Sequence, residues 1–212
     1  WICLAAGQGS RLRPITEDKP KAMVSVADRP LVDRLVDTAR HVGIDEIVLV
    51  TGYRGEMIRE HTDGDVTISK NPRFASTDMV ESLWYAEQEL EGNVIITYAD
   101  ILYTPSVLET VLESPNEVTV AVDDEWQSYW SRRHEEPIED AENLQLGADD
   151  CIEAIGQSVN SIEAPEAQYI GVIKLSAEGI ERFRQTYAAI KNTEGGVSSS
   201  ESEEDLENIH MT

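Results

Sequence analysis

The sequence is short of lysine. Only 5 of its 17 basic residues are Lys and 12 are Arg, set against 41 Asp and Glu, so the 212 residues carry a formal charge of −24. A surface this acidic excludes general binding to nucleic acid or to an anionic membrane, since both need positive charge. Cysteine is almost missing. Cys3 and Cys151 offer neither a disulfide framework nor zinc spacing, and a reducing cytoplasm fits them best. No apolar run approaches the roughly 18–20 residues that cross a bilayer, and no signal-peptide pattern opens the chain. Hydrophobic content is ordinary at 41%, which excludes wholesale disorder. Abundant acid with scarce Lys suits a salt-rich cytoplasm, where screening suppresses self-repulsion. A halophilic protein is therefore expected, with a merely acidic one as the alternative.

Hydrophobic patterning points to alternating strands and helices. Trp1 to Ala5 reads as a buried strand. Asp28 is placed to cap a helix carrying Leu31, Leu35, Val36, Ala39 and Val42, which Gly43 ends. Ile47 to Val50 is a second buried strand, completing a βαβ unit. Further strands are expected at 94–98, 118–122, near 151–155 and at 169–174, with helices from Asp78, over 105–113 and around Ile180, Phe183, Tyr187 and Ile190. The pattern predicts an α/β fold: a Rossmann-like three-layer α/β/α arrangement around a mostly parallel mixed sheet. A single domain over 1–212 is expected, trimmed at both ends, with 192–208 as a flexible acidic loop.

The most informative stretch is Leu4 to Lys21, LAAGQGSRLRPITEDKPK. A strand delivers the chain to a glycine turn, whose amides can approach a phosphate closely. No Gly-Lys-Ser/Thr follows, so it is not a Walker A loop. Leu12 stands where a dinucleotide fingerprint needs its third glycine. Six of the 17 basic residues fall between Arg11 and Arg34. In so acidic a chain, that concentration points to a ligand with several phosphates. Pairing with Glu17, Asp18, Asp28 and Asp33 is the alternative, most of all for Arg29 and Arg34. Asp100 ends the apolar run from Val94, where a carboxylate wants a cation.

The pattern Leu4-Ala5-Ala6-Gly7-x-Gly9-x-Arg11-Leu12-x-Pro14, followed by Pro20-Lys21, resembles the signature of the sugar-phosphate nucleotidyltransferases. Asn71 to Phe74, Thr77 to Trp84, Tyr98 to Tyr103, Trp126 to Arg133 and Tyr169 to Gly171 are similar to the branch that includes choline-phosphate cytidylyltransferases. The resemblance implies that the glycine loop (Leu4, Ala5, Ala6, Gly7, Gly9, Ser10) and Arg11 hold a nucleoside triphosphate. It implies that Lys21 neutralises phosphate charge and that Asp100 holds Mg²⁺. Ala6, Asp78 and Ser82 become candidates for reading the base, although Asp78 could equally cap its helix. A second metal aspartate, after a Trp-x-Glu-Ile-Asp-like motif, is missing from 1–212 and is expected beyond Thr212.

The implied partners are an NTP and a small phosphorylated acceptor, with CTP and phosphocholine leading. An aminoethylphosphonate, an inositol phosphate or a hexose 1-phosphate stays open, as does a non-catalytic regulatory relative. Asp123, Asp124, Trp126, Tyr129 and Trp130 bring carboxylates and aromatic faces close together, as a quaternary ammonium pocket needs. The same Trp126–Trp130 spacing also fits one apolar helix face packed on a core. Arg132 and Arg133 could meet the acceptor phosphate or pair with Glu135 and Glu136. Glu142 and Tyr169 match positions that contact the acceptor in relatives, while Gln157 stands where relatives often carry Lys. Oligomeric state has no signature here.

Overall fold

A computed structural model describes residues 1–133, 141–158 and 165–196. The described residues divide into two compact units. Among the described residues the first comprises 1–119 and 173–196, and the second lies within 120–172.

In chain order the strands are β1 (Ile2–Ala5), β2 (Ser25–Val26), β3 (Arg29–Pro30), β4 (Val48–Thr51), β5 (Thr67–Lys70), β6 (Val94–Tyr98), β7 (Val118–Asp123), β8 (Glu142–Leu146), β9 (Ile152–Ser158) and β10 (Gln168–Leu175). The helices are α1 (Leu31–His41), α2 (Gly55–Thr62), α3 (Met79–Trp84), α4 (Pro105–Glu113), α5 (Trp126–Arg133) and α6 (Ala177–Gly196). Six strands form one sheet in the order β5-β4-β1-β6-β10-β7, and β1 runs parallel to both β4 and β6. β2–β3 and β8–β9 are separate two-stranded sheets. The mixed, mostly parallel α/β architecture is the expected one.

The first unit's core follows from strand composition. All four residues of β1 and of β4 are buried. Because side chains alternate across a sheet, Ile2, Leu4, Val48, Val50 and Ile96 share one face, where they cluster with Leu83, Leu90, Leu175 and Ile180. Helix α6 lies against α3 there. Trp84 stacks on Tyr187 with ring centroids 4.0 Å apart, and Arg184 donates to Glu87 at 2.8 Å. Cys3 faces the other way, fully buried. Burial, and secondarily the Asp100 carboxylate, push its thiol far above the ordinary range, which makes it an inert core residue.

Local structure departs from expectation in several places. Asp28 does not cap α1: Ala27 and Asp28 take φ 46° and 63°, forming the turn of the β2–β3 hairpin, and Pro30 precedes the helix directly. A two-residue hairpin turn needs positive φ at both positions, which Asp tolerates. Residues 192–196 are helical, since α6 runs through Gly196, and the rest of the acidic stretch lies outside the described residues. Helix α2, β5 and β8 answer to no sequence prediction; the last two are too mixed in polarity to show a buried run. No helix among the described residues is long and apolar enough to cross a membrane.

Candidate active site

The glycine loop leaves the carboxyl end of β1. At Gly9, φ is 61°, and a Cβ there would stand 3.0 Å from Cβ of Lys21. Only glycine gives both the left-handed backbone and the room for that lysine. The loop folds back on itself: Leu12 N–H donates to the Gly9 carbonyl at 2.9 Å, and the fully buried Thr16 adds its hydroxyl at 2.7 Å. No described residue accepts a hydrogen bond from the amides of Gly7, Gln8 or Ser10. Such a run of undischarged donors is what an anion-binding turn offers. Arg11, in the short 3-10 turn Ser10–Leu12, is exposed and has no ion-pair or hydrogen-bond partner among the described residues.

Lys21 and Asp100 meet. Lys21 Nζ donates to Asp100 Oδ2 at 2.5 Å across 79 positions of sequence. The sheet brings them together: β1 pairs with β6, and Ala99 N–H donates to the Leu4 carbonyl at 3.2 Å, so Asp100 lies just past the strand ends where the glycine loop begins. This is the edge at which open parallel sheets bind ligands. Both side chains stay accessible, Lys21 at 30% and Asp100 at 37%. The other basic residues of the stretch separate by role. Arg29 pairs with Asp37 at 2.7 Å, and Arg34 donates to the carbonyls of Val26 and Ala27, bracing the hairpin.

The start of α3 is built around Asn71. This side chain is fully buried, donates to Thr77 Oγ1 at 2.8 Å and Ser82 Oγ at 2.9 Å, and accepts from Arg73 N–H at 2.8 Å. Ser82 is thereby buried and oriented. Asp78 caps α3, its Oδ1 accepting from Glu81 N–H at 2.7 Å. Asp78→Ala is expected to lower unfolding free energy by about 1 kcal/mol, read as a shifted urea midpoint; an unmoved midpoint would mean that the cap is not formed in solution.

The acceptor candidates all fall in the second unit. Trp126 is 1% exposed, so its ring belongs to the unit's core and not to an open pocket wall. It meets Trp130 edge-on, with centroids 5.9 Å apart, as the i, i+4 spacing on α5 dictates. Tyr129 is the exposed aromatic, at 53%, and meets Trp130 edge-on as well. Asp123 Oδ1 accepts from Glu125 N–H at 2.9 Å, turning the chain into α5. Gln168, buried beside Tyr169, holds both backbone polar groups of Glu142, at 3.1 and 2.7 Å. Arg132 is exposed; Glu135, Glu136 and the side chains of Arg133 and Gln157 lie outside the described residues.

Sequence reading missed Thr16 and Tyr53, and it placed Asn71 in a motif without giving its side chain a role. The Asn71-Pro72 dipeptide was a visible signal for a turn, but nothing local announces a buried amide hub.

The sequence profile of the MobA-like NTP transferase domain matches residues 1–159. CTP:phosphoglutamine cytidylyltransferase of Campylobacter jejuni is 34% identical over 183 residues, covering 82% of this chain and 72% of that protein. Choline-phosphate cytidylyltransferase of Streptococcus pneumoniae is 33% identical over 103 residues, covering 48% of this chain and 45% of that protein. Among solved structures, CTP:phosphocholine cytidylyltransferase from Streptococcus pneumoniae matches with a TM-score of 0.64 at 22% identity, over 90% of this chain and 77% of that one, a likeness of fold. A profile match of this extent, on a chain whose glycine loop opens at the carboxyl edge of a parallel sheet, makes it a member of the MobA-like NTP transferase family and a nucleotidyltransferase.

Proposed function

We propose that the chain joins CTP to a small phosphomonoester and releases pyrophosphate. The observation that carries this reading is the Lys21–Asp100 pair beside a glycine loop whose amides, like the Arg11 side chain, have no partner among the described residues. An oxygen of the acceptor phosphate attacks the α-phosphorus in line; the new P–O bond forms as the bond to the pyrophosphate oxygen breaks. The attacking oxygen is already anionic, so no general base is needed, and catalysis reduces to positioning and charge neutralisation. The loop amides and Arg11 hold the β- and γ-phosphates, Lys21 stabilises charge on the reacting phosphoryl, and Ala6, Asp78 and Ser82 face the base.

Asp100 fits Mg²⁺ as one accessible carboxylate. Mg²⁺ takes one or two carboxylates and completes its shell with phosphate oxygens and water, and Asp100 would supply one carboxylate. When bound, Mg²⁺ supplies neutralisation of phosphate charge.

Phosphocholine leads as acceptor: Tyr129 offers an exposed ring and Asp123, at the end of β7, a carboxylate, with Glu142 and Tyr169 as further contacts. The burial of Trp126 removes one wall of an aromatic cage. Phosphoglutamine is the second reading, favoured by the longer stretch shared with the Campylobacter enzyme. The protein works in a reducing, salt-rich cytoplasm, as its charge and cysteine usage indicate.

A pyrophosphate-release screen tests these points, with four NTPs against phosphocholine, phosphoglutamine, aminoethylphosphonate, an inositol phosphate and a hexose 1-phosphate, in Mg²⁺ and molar KCl. CTP with phosphocholine should turn over fastest. Silence with every pair would point instead to a non-catalytic nucleotide binder. The unfolding temperature should rise from low to molar KCl; a flat profile would remove the salt-adaptation reading.

A further inference from the structure

The loop from Ala6 to Glu17 must present the amides of Gly7, Gln8 and Ser10 and the Arg11 side chain in one geometry, and a single residue ties down both its ends. Tyr53 N–H donates to the Ala6 carbonyl at 2.9 Å, and Tyr53 Oη donates to the Glu17 carbonyl at 2.6 Å. The hydroxyl is itself fixed from behind. Arg54 Nε donates to it at 3.1 Å, and the Arg54 guanidinium stands 5.6 Å from the ring centroid. The ring meets Phe74 edge-on, with centroids 6.1 Å apart.

The residue before it shows how closely these parts are fitted. A Cβ on Gly52 would lie 2.6 Å from the Ala6 carbonyl oxygen and 2.5 Å from Cβ of Phe74. Neither atom can swing aside, so the end of β4 is gripped between the start of the glycine loop and the turn following Asn71. That turn carries the buried amide that orients Ser82. One short segment therefore connects the loop that faces the phosphates with the helix that faces the base.

We propose that Tyr53 is a positioning residue for the nucleotide: it holds the two ends of the glycine loop at a set separation, so that Arg11 and the loop amides are ordered before the triphosphate arrives. Binding to an ordered loop avoids the entropy of ordering it, which is how such a brace raises affinity. The inference rests on the proposed role of the glycine loop in holding phosphates.

Tyr53→Phe removes the hydroxyl and keeps the ring. Limited trypsin digestion of the ligand-free protein reads the loop itself, because Arg11 is a cleavage site within it. Cleavage after Arg11 should speed up at least about threefold, and the Kd for CTP with Mg²⁺ should rise about three- to tenfold, the effect of one well-made hydrogen bond. The unfolding temperature and the KM for the acceptor should stay at wild-type values. Unchanged cleavage with unchanged CTP affinity would overturn the proposal. So would a lowered unfolding temperature with equal losses for both substrates, which would make Tyr53 a stability residue only. Faster cleavage in the variant, with no CTP binding by the wild type, would instead refute the nucleotide reading of the loop and leave the brace standing.

Discussion

Lys21→Ala is expected to lower turnover at least about a hundredfold, the usual effect of deleting one aligned electrostatic stabiliser. The lysine is the cation best placed to meet a reacting phosphoryl. It emerges beside Gly9, whose missing side chain leaves 3.0 Å between a hypothetical Cβ and the lysine stem, and its ammonium reaches Asp100 at the strand ends. In the ligand-free chain its partner is a carboxylate; in the proposed reaction it turns to the phosphate. The fold should survive the change. The pair is partly exposed, and exposed pairs contribute little to stability. The measurement is kcat at saturating CTP beside the unfolding temperature. Lys21→Arg should rescue poorly, because a planar, delocalised fork does not replace a compact point charge on the reacting phosphoryl. Near-normal turnover of Lys21→Ala would remove it from the reaction.

Asp100→Asn should cost at least as much, about a hundredfold or more, and in a different way. The amide keeps the shape and can still accept from Lys21, but its oxygen is neutral. Mg²⁺ prefers anionic oxygen ligands, so the Mg²⁺ concentration needed for half-maximal rate should rise together with the fall in kcat. Lys21→Ala should leave that Mg²⁺ dependence largely in place. The contrast separates the two roles, and a shared, unshifted Mg²⁺ dependence in both variants would sink the assignment of Asp100 to the metal.

Much of the fold is legible in local pattern. β1, β4 and β6 are unbroken apolar runs because both faces of a parallel sheet are covered, and such runs need no context to be read. Helix α4 was legible over its whole length, Pro105–Glu113, because Pro105 marks its first turn. β5 and β8 were not: they are partly exposed and polar, and only their neighbours make them strands. Asp28 shows the limit of capping rules. Its side chain suits a cap, yet the hairpin claims it, because positive φ at two successive positions is the scarcer requirement.

By itself the sequence determined the chemistry on offer: a glycine turn after a buried strand, a cationic stretch in an acidic chain, and a carboxylate ending another strand. The tertiary structure decided which of these act together. It set Lys21 against Asp100, spent Arg29 and Arg34 on local bracing, left Arg11 without a partner among the described residues, and buried Trp126. The reason is physical. A turn or an apolar run is specified by adjacent residues, whereas a side chain's partner depends on which strands lie side by side, and strand order is a property of the folded sheet.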